Sequence, residues 1–151
     1  MADSLSHDHT KHILNDFANL RIDTLITKRR DQYELSVASE QDIAHLINVP
    51  VGDGSVKNSL EGWCFISFAD TYNDDTRVLL IGHDADGMSW CTSQVLAFDD
   101  NRNLVRTKSG SLYEVIGDPV PEPSQDLVLH VAATFKSWGL GKPLGMPVVF
   151  Y

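Results

Sequence analysis

The chain has 151 residues, of which 42% are hydrophobic, and a formal net charge of −9. That length suits one domain with a core of its own, and that apolar content excludes intrinsic disorder. The surplus of carboxylates speaks against direct nucleic-acid binding, which needs clustered Lys and Arg, and no apolar run reaches the ~20 residues of a membrane span.

The N-terminal stretch "MADSLSHDHTKH" lacks the apolar centre of a secretory leader, so a cytoplasmic location is expected. Residues 1–8 are polar and expected to be disordered. Cys64 and Cys91 are too few for a disulfide scaffold, lack zinc-site spacing, and read as buried free thiols. The charge is uneven. Residues 1–60 hold nine acids and six bases (net −3), residues 61–118 ten and four (net −6), and residues 119–151 two of each. The one basic cluster, Lys28, Arg29 and Arg30, reads as a solvated turn.

A helix is expected to start near Thr10, capped by Asp8 or Thr10, with Ile13, Leu14, Phe17 and Leu20 on one face. From Leu20 the alternation Leu20, Ile22, Thr24, Ile26 suits a strand, returning after "KRRDQ" through Tyr33, Leu35 and Val37. A helix running on to Lys28 is the rival reading. Ser39 opens a capping box in which Asp42 reaches back, and the short helix behind it carries Ile43, Leu46 and Ile47. Pro50 and Gly52 end that helix, and "VGDGSVKNS" has the composition of a loop.

The centre of the chain is regular. "GWCFISFAD" (62–70), "TRVLLIGH" (76–83), "MSWCTSQVLAF" (88–98), "NLVRTK" (103–108) and "SLYEVIG" (111–117) are short aromatic and β-branched runs between polar turns. This is the pattern of a twisted antiparallel meander of about five strands that curls toward a half-barrel. Three prolines then break the chain at 119–123. Ser124 caps a helix carrying Leu127, Val128, Val131, Phe135 and Trp138 along one stripe, and Gly139 terminates it. "VVFY" closes the chain as an apolar strand. With N-terminal and C-terminal helices packed on one face of the sheet, the expected class is α+β in a single domain spanning 1–151.

The stretch "IGHDADGMSWCTSQVLAF" (81–98) gathers His83, Asp84, Asp86, Gly87 and Cys91. Set as a calcium loop with Gly87 at the sixth position, it places Gly82 first and Ser93 twelfth, so two ligands are missing. The His83-Asp84 doublet resembles that of HD-type phosphohydrolases. That family is all-helical and takes further ligands from other helices, whereas this doublet ends a strand. A Cys91–His83 nucleophile pair fails on reach, since Cys91 falls about three residues along the strand, at ~3.3 Å each, from the residue opposite His83. Asp and Gly are there because turns favour them. His7, His9 and His12 lack acids to complete a metal shell, His130 reads as a boundary residue beside the apolar stripe, and no cofactor fingerprint or catalytic constellation is present.

In a meander, alternate turns lie at one end. The turns at 70–75 and 99–102 should therefore adjoin and bring together Asp70, Asp74, Asp75, Asp99 and Asp100 against Arg77 and Arg102. Tyr72 at the tip of the first is suited to anchor a contact. Solvated turns alone would explain the aspartates. The functional reading is a small acidic domain that binds a basic protein surface through Asp70, Tyr72, Asp74, Asp75, Asp99 and Asp100, as an inhibitor or adaptor at a nucleic-acid-binding or nuclease site. The alternative is a small-molecule module or hydrolase-type enzyme using the concave face, with Trp63, Trp90 and Tyr113 lining a pocket, although core packing explains each.

The apolar end, residues 148–151, either pairs into the sheet or offers a patch for homo-oligomerisation. Burial is the favoured reading. Removing these four residues should lower the thermal midpoint by several degrees; a truncated chain that melts like its parent would make the tail a docking surface.

Overall fold

A computed structural model describes residues 20–147. The helix expected from Thr10, the histidines at 7, 9 and 12, and the strand expected at 148–151 lie outside the described residues. Among the described residues, six strands and two α-helices follow one another as β1 (Tyr33–Val37), α1 (Glu40–Ile47), β2 (Val56–Asp70), β3 (Asp75–His83), β4 (Ser89–Asp99), β5 (Leu104–Thr107), β6 (Leu112–Val115) and α2 (Gln125–Ser137). The strands pair in sequence order, so the α+β antiparallel meander expected from the turn spacing is what the chain forms.

Before β1, the alternation at Leu20–Ile26 does not make a strand. Ile22–Thr24 is a single turn of 3-10 helix. Thr24 accounts for this: its hydroxyl accepts from the Arg21 amide and donates to the Arg21 carbonyl, both at 3.1 Å, so local bonds replace a ladder. Leu25 and Ile26 are still buried, because the turn drops both into the core. β1 instead pairs with the far end of β2, with Leu35 opposite Phe68.

β2 is longer than its apolar pattern suggests. Its first residues, from Val56, were expected as loop, yet they pair in parallel with β6, Val56 opposite Leu112 and Leu60 opposite Val115. Ser59 also donates to the Glu114 carboxylate at 3.1 Å. The register then slips between Glu61 and Cys64, and Gly62 takes a φ of +56°, a left-handed conformation that favours glycine. Past this bulge β2 pairs with β3 on one edge and with β1 on the other. One edge of β2 thus serves β6 first and β1 later. The pairings β2–β3–β4–β5–β6–β2 close on themselves, so the expected curl runs to a closed ring with β1 outside it.

The faces of the bent sheet carry two cores. Inside, Leu60, Trp63, Phe65, Val78, Leu80, Val95, Phe98, Val105, Tyr113 and Val115 pack together, with Ile43 and Leu46 of α1 against them. On the outer face, Cys64, Ile66, Leu79 and Ile81 meet Leu127, Val128, Val131, Ala132 and Phe135 of α2. Both helices are capped as their sequences indicate, Ser39 accepting from the Asp42 amide and Ser124 from the Leu127 amide. The Asp42 carboxylate does not reach back to Ser39; it accepts from the buried Ser67 hydroxyl at 2.8 Å and ties α1 to the inner face. Gly139 ends α2 at φ +81°. Trp138, the last residue of the expected stripe, is 46% exposed, its ring tilted against that of Phe135 at 5.3 Å.

The bend brings strands within backbone distance. A Cβ on Gly82 would lie 2.9 Å from Leu60 Cβ and 3.0 Å from Trp63 Cβ. Gly82→Ala should therefore destabilise the fold by about 1–3 kcal/mol, as overpacking does, read as a lower urea midpoint. An unchanged midpoint would mean that β2 and β3 part easily at the bend.

Candidate functional site

The 81–98 stretch is a hairpin whose turn Asp84 organises. One carboxylate oxygen of Asp84 accepts from the amides of Asp86 and Met88, and the other from the Trp90 indole, each at 2.9 Å. The Trp90 bond first, then the Met88 amide, holds the Asp84 carboxyl below its usual pKa range. Gly87 takes φ +79° in the same turn. The residue opposite His83 is Ser89, and Cys91 lies opposite Ile81, so His83 and Cys91 are offset along the ladder. Burial pushes the Cys64 and Cys91 thiols up to about 12, which keeps both protonated at neutral pH and poor nucleophiles.

His83 has a partner that sequence spacing does not reveal. Its Nε2 lies 3.0 Å from the Ser124 hydroxyl, across 41 residues. The same hydroxyl caps α2 by accepting from the Leu127 amide at 3.3 Å, so this contact locks the helix start to the end of β3. A Ser–His pair for acyl transfer also needs a group that orients the imidazole, and no such bond to His83 exists among the described residues. His130 is half-buried, and burial lowers its pKa. Among the described residues no group of three or more His, Cys, Asp or Glu is placed to hold a metal ion.

Of the aromatics that the alternative reading sets around a concave pocket, Trp63 and Tyr113 are core residues and Trp90 is half-buried. Trp63 is 3% and Tyr113 4% exposed within the inner core, and the Trp63 indole donates to the carbonyls of Ile116 and Gly117. Trp90 packs edge-on against Tyr113 and carries Lys57 over its ring at 5.8 Å.

The acidic turns keep much of their charge at the surface. In the turn between β2 and β3, Asp70 accepts from the Tyr72 and Asn73 amides and from the side chains of Gln32 and Asn73, and Asn73 first lowers its pKa. Asp70 and Asp75 are opposite one another in the ladder, and Asp75 pairs with Arg77 at 3.3 Å. Asp74 takes φ +47° at the tip. Tyr72, 64% exposed, donates its hydroxyl to Asp31, which is thereby held below its ordinary pKa. In the turn between β4 and β5, Asp99 accepts from the amides of Asn101 and Arg102 and from the Arg102 guanidinium at 2.8 Å. The Arg102 bond is the leading cause of its lowered pKa.

Each turn borders its own cleft, and the two clefts share no residue. Asp70 and Asp75 face Arg29, Tyr33 and the 140–144 loop. Asp99 and Asp100 face the 47–53 loop across a cleft of about 470 Å³. Asp53 adds a third carboxylate to that cleft, against Arg102 alone, and Ile47 and Val49 on its wall are 40% and 45% exposed. Arg106 fixes the loop by donating to the carbonyls of Val51, Asp53 and Gly110 at 2.7–2.9 Å, a strut that spans 55 residues of sequence. Asp53, Ile47, Val49 and Arg106 carried no signal of this role in the sequence, because a β5 residue positions a loop far upstream.

The chain matches no protein-family model, no curated protein and no solved structure. No helix among the described residues is long and apolar enough to cross a membrane.

The lowered pKa of Asp84 has a definite sign in stability. Its contribution is complete above the unfolded value of about 3.9 and is lost as pH falls through the lower folded value. Between pH 5 and pH 2.5 the urea midpoint should fall. In Asp84→Asn the midpoint should start lower at pH 7 and fall less on acidification; parallel curves for the two proteins would show that the Trp90 bond is not held by the ionised form.

Proposed function

We propose that this chain is a protein-binding domain that docks on a basic protein surface, with the cleft between the 47–53 loop and the turn after β4 as its principal contact. The observation that carries this reading is the composition of that cleft. Three carboxylates, Asp53, Asp99 and Asp100, stand against one guanidinium, beside exposed Ile47 and Val49. A Lys or Arg side chain of a partner would bring both charge and an apolar stem to such a place. Arg106 holds the loop in position beforehand, which reduces the ordering cost on association.

The turn carrying Asp70, Tyr72, Asp74 and Asp75 offers a second point of contact, where the Asp31 bond pre-orients an exposed tyrosine ring. A net charge of −9 would steer a positively charged partner toward either turn. Nucleic-acid-binding and nuclease sites are the basic protein surfaces such an acidic domain would occlude, which makes an inhibitor or adaptor the role favoured by charge.

Affinity capture from the native source should yield basic proteins whose retention weakens at least tenfold between about 50 and 500 mM salt. Asp99→Asn with Asp100→Asn should reduce capture more than Asp74→Asn with Asp75→Asn. Capture that survives all four substitutions unchanged would refute the reading.

A further inference from the structure

On the outer face of the sheet, β3 and β4 part company. Their ladder runs from His83 opposite Ser89 to Leu79 opposite Gln94, with a register slip on the way. Beyond it, residues 76–78 of β3 pair with β2, whereas β4 from Val95 onward pairs with β5. The Lys108 amide donates to the Gln94 carbonyl at 2.8 Å and brings the turn after β5 to the edge of the fork. A cavity of about 240 Å³ occupies this fork, under the end of α2.

Its walls divide by chemistry. Phe68, Leu79, Leu140 and Trp138 make an apolar slot, and Trp138 is the stripe residue that the core leaves 46% exposed. The lining also takes in the polar Ser93 and Gln94 and the cations Arg77 and Lys108. Arg77 gives only its Nε to Asp75, so its two terminal nitrogens have no partner among the described residues, and neither does the Lys108 ammonium. A second cavity of about 230 Å³ continues the slot past Phe68, where Tyr33 stacks on that ring at 5.6 Å and Arg29 lies 5.1 Å over Tyr33. Lys108 without an ion-pair partner among the described residues, and Arg77 engaged by Asp75 through Nε alone, stand beside an aromatic slot against the charge of the whole chain, so the attraction for an anion here is local.

We propose that this fork binds a small aromatic carboxylate, its ring between Trp138 and the Phe68–Leu79 floor and its carboxylate on Arg77 and Lys108. A planar guanidinium with both terminal nitrogens open offers a bidentate bond to a carboxylate, and Lys108 adds a point charge. The cavity is smaller than the ~300–1,000 Å³ of sites for drug-sized ligands, which limits the ligand to one or two rings. The site shares no residue with the acidic docking cleft and stands or falls without it.

The probe is 2-naphthoate, titrated into the full chain and followed by backbone amide and indole shifts in two-dimensional NMR, with 2-naphthalenemethanol as the uncharged isostere. Saturable binding at sub-millimolar concentration should move the signals of residues 77–79, 93–94, 108 and the Trp138 indole. Arg77→Gln with Lys108→Gln, both exposed positions, should weaken naphthoate at least fivefold and leave the alcohol unaffected; Trp138→Ala should weaken both. The proposal is overturned if naphthoate does not saturate, if it shifts residues elsewhere, or if the alcohol binds wild type as tightly as the acid does.

Discussion

A single strand with two different neighbours on one edge governs this fold. β2 must pair with β6 over its first residues and with β1 over its last, and a straight strand could not do both while keeping β3 along its other side. The bulge at Gly62 supplies the bend, and Gly82 on β3 removes the side chain that would collide with Leu60 and Trp63 at its inside. Two glycines on adjacent strands therefore answer one steric problem. The Ile116 amide bonding to the Leu60 carbonyl and the Val120 amide to that of Trp63 hold the chain after β6 against the same bend.

Closure has consequences at both functional candidates. A ring of five strands cannot keep every neighbouring pair in register along its full length, so strands diverge where the curvature changes. β4 leaves β3 after Gln94 to follow β5, which opens the fork beneath Trp138 on the outside. On the inside the same turn of β4 carries Asp99 and Asp100 away from β3 and toward the 47–53 loop, where α1 ends. The two clefts are thus opposite products of one departure from regular pairing. α1 packs with the inner core and α2 with the outer, and each cleft sits at a helix C-terminus, Ile47 ending α1 at one and Trp138 capping α2 at the other.

How much of this could be foreseen depended on whether the determinant was local. The five central strands, the caps Ser39 and Ser124 and the stop at Gly139 were legible because turn residues and cap residues act within a few positions of themselves. The start of β2 was not: Lys57, Asn58 and Ser59 are polar, and only their pairing with β6, more than fifty residues away, makes them a strand. Leu20–Ile26 misled in the other direction. Its alternation reported burial faithfully, but Thr24 bonds its own neighbourhood and the segment stays off the ladder. Trp138 fitted the helical stripe by spacing, yet α2 outruns the sheet beneath it and leaves that ring over the fork. The role of Arg106 as a strut was out of reach for the same reason as the start of β2, since two of its three acceptors, Val51 and Asp53, lie more than fifty residues upstream.

The aspartates pose a choice between turn-building and docking that dissolves on inspection of their bonds. Asp70, Asp84 and Asp99 each accept amides of their own turn, which explains their presence without any partner. Side-chain bonds from Asn73, Trp90 and Arg102 lead in lowering their pKa, with the turn amides adding to them, so these carboxylates stay ionised at neutral pH and, except for Asp99 on its Arg102 partner, add a full negative charge to the surrounding field. Structure and steering draw on the same groups. What separates one acidic turn from another is therefore the company it keeps: the turn after β4 has exposed Ile47 and Val49 and a third carboxylate from Asp53, whereas Asp84 has the Trp90 indole bound to it and Lys57 close to that ring. Charge alone would not favour the turn after β4, whose two aspartates share Arg102. Apolar surface beside a surplus of carboxylates is what singles out the cleft that Asp99 and Asp100 border.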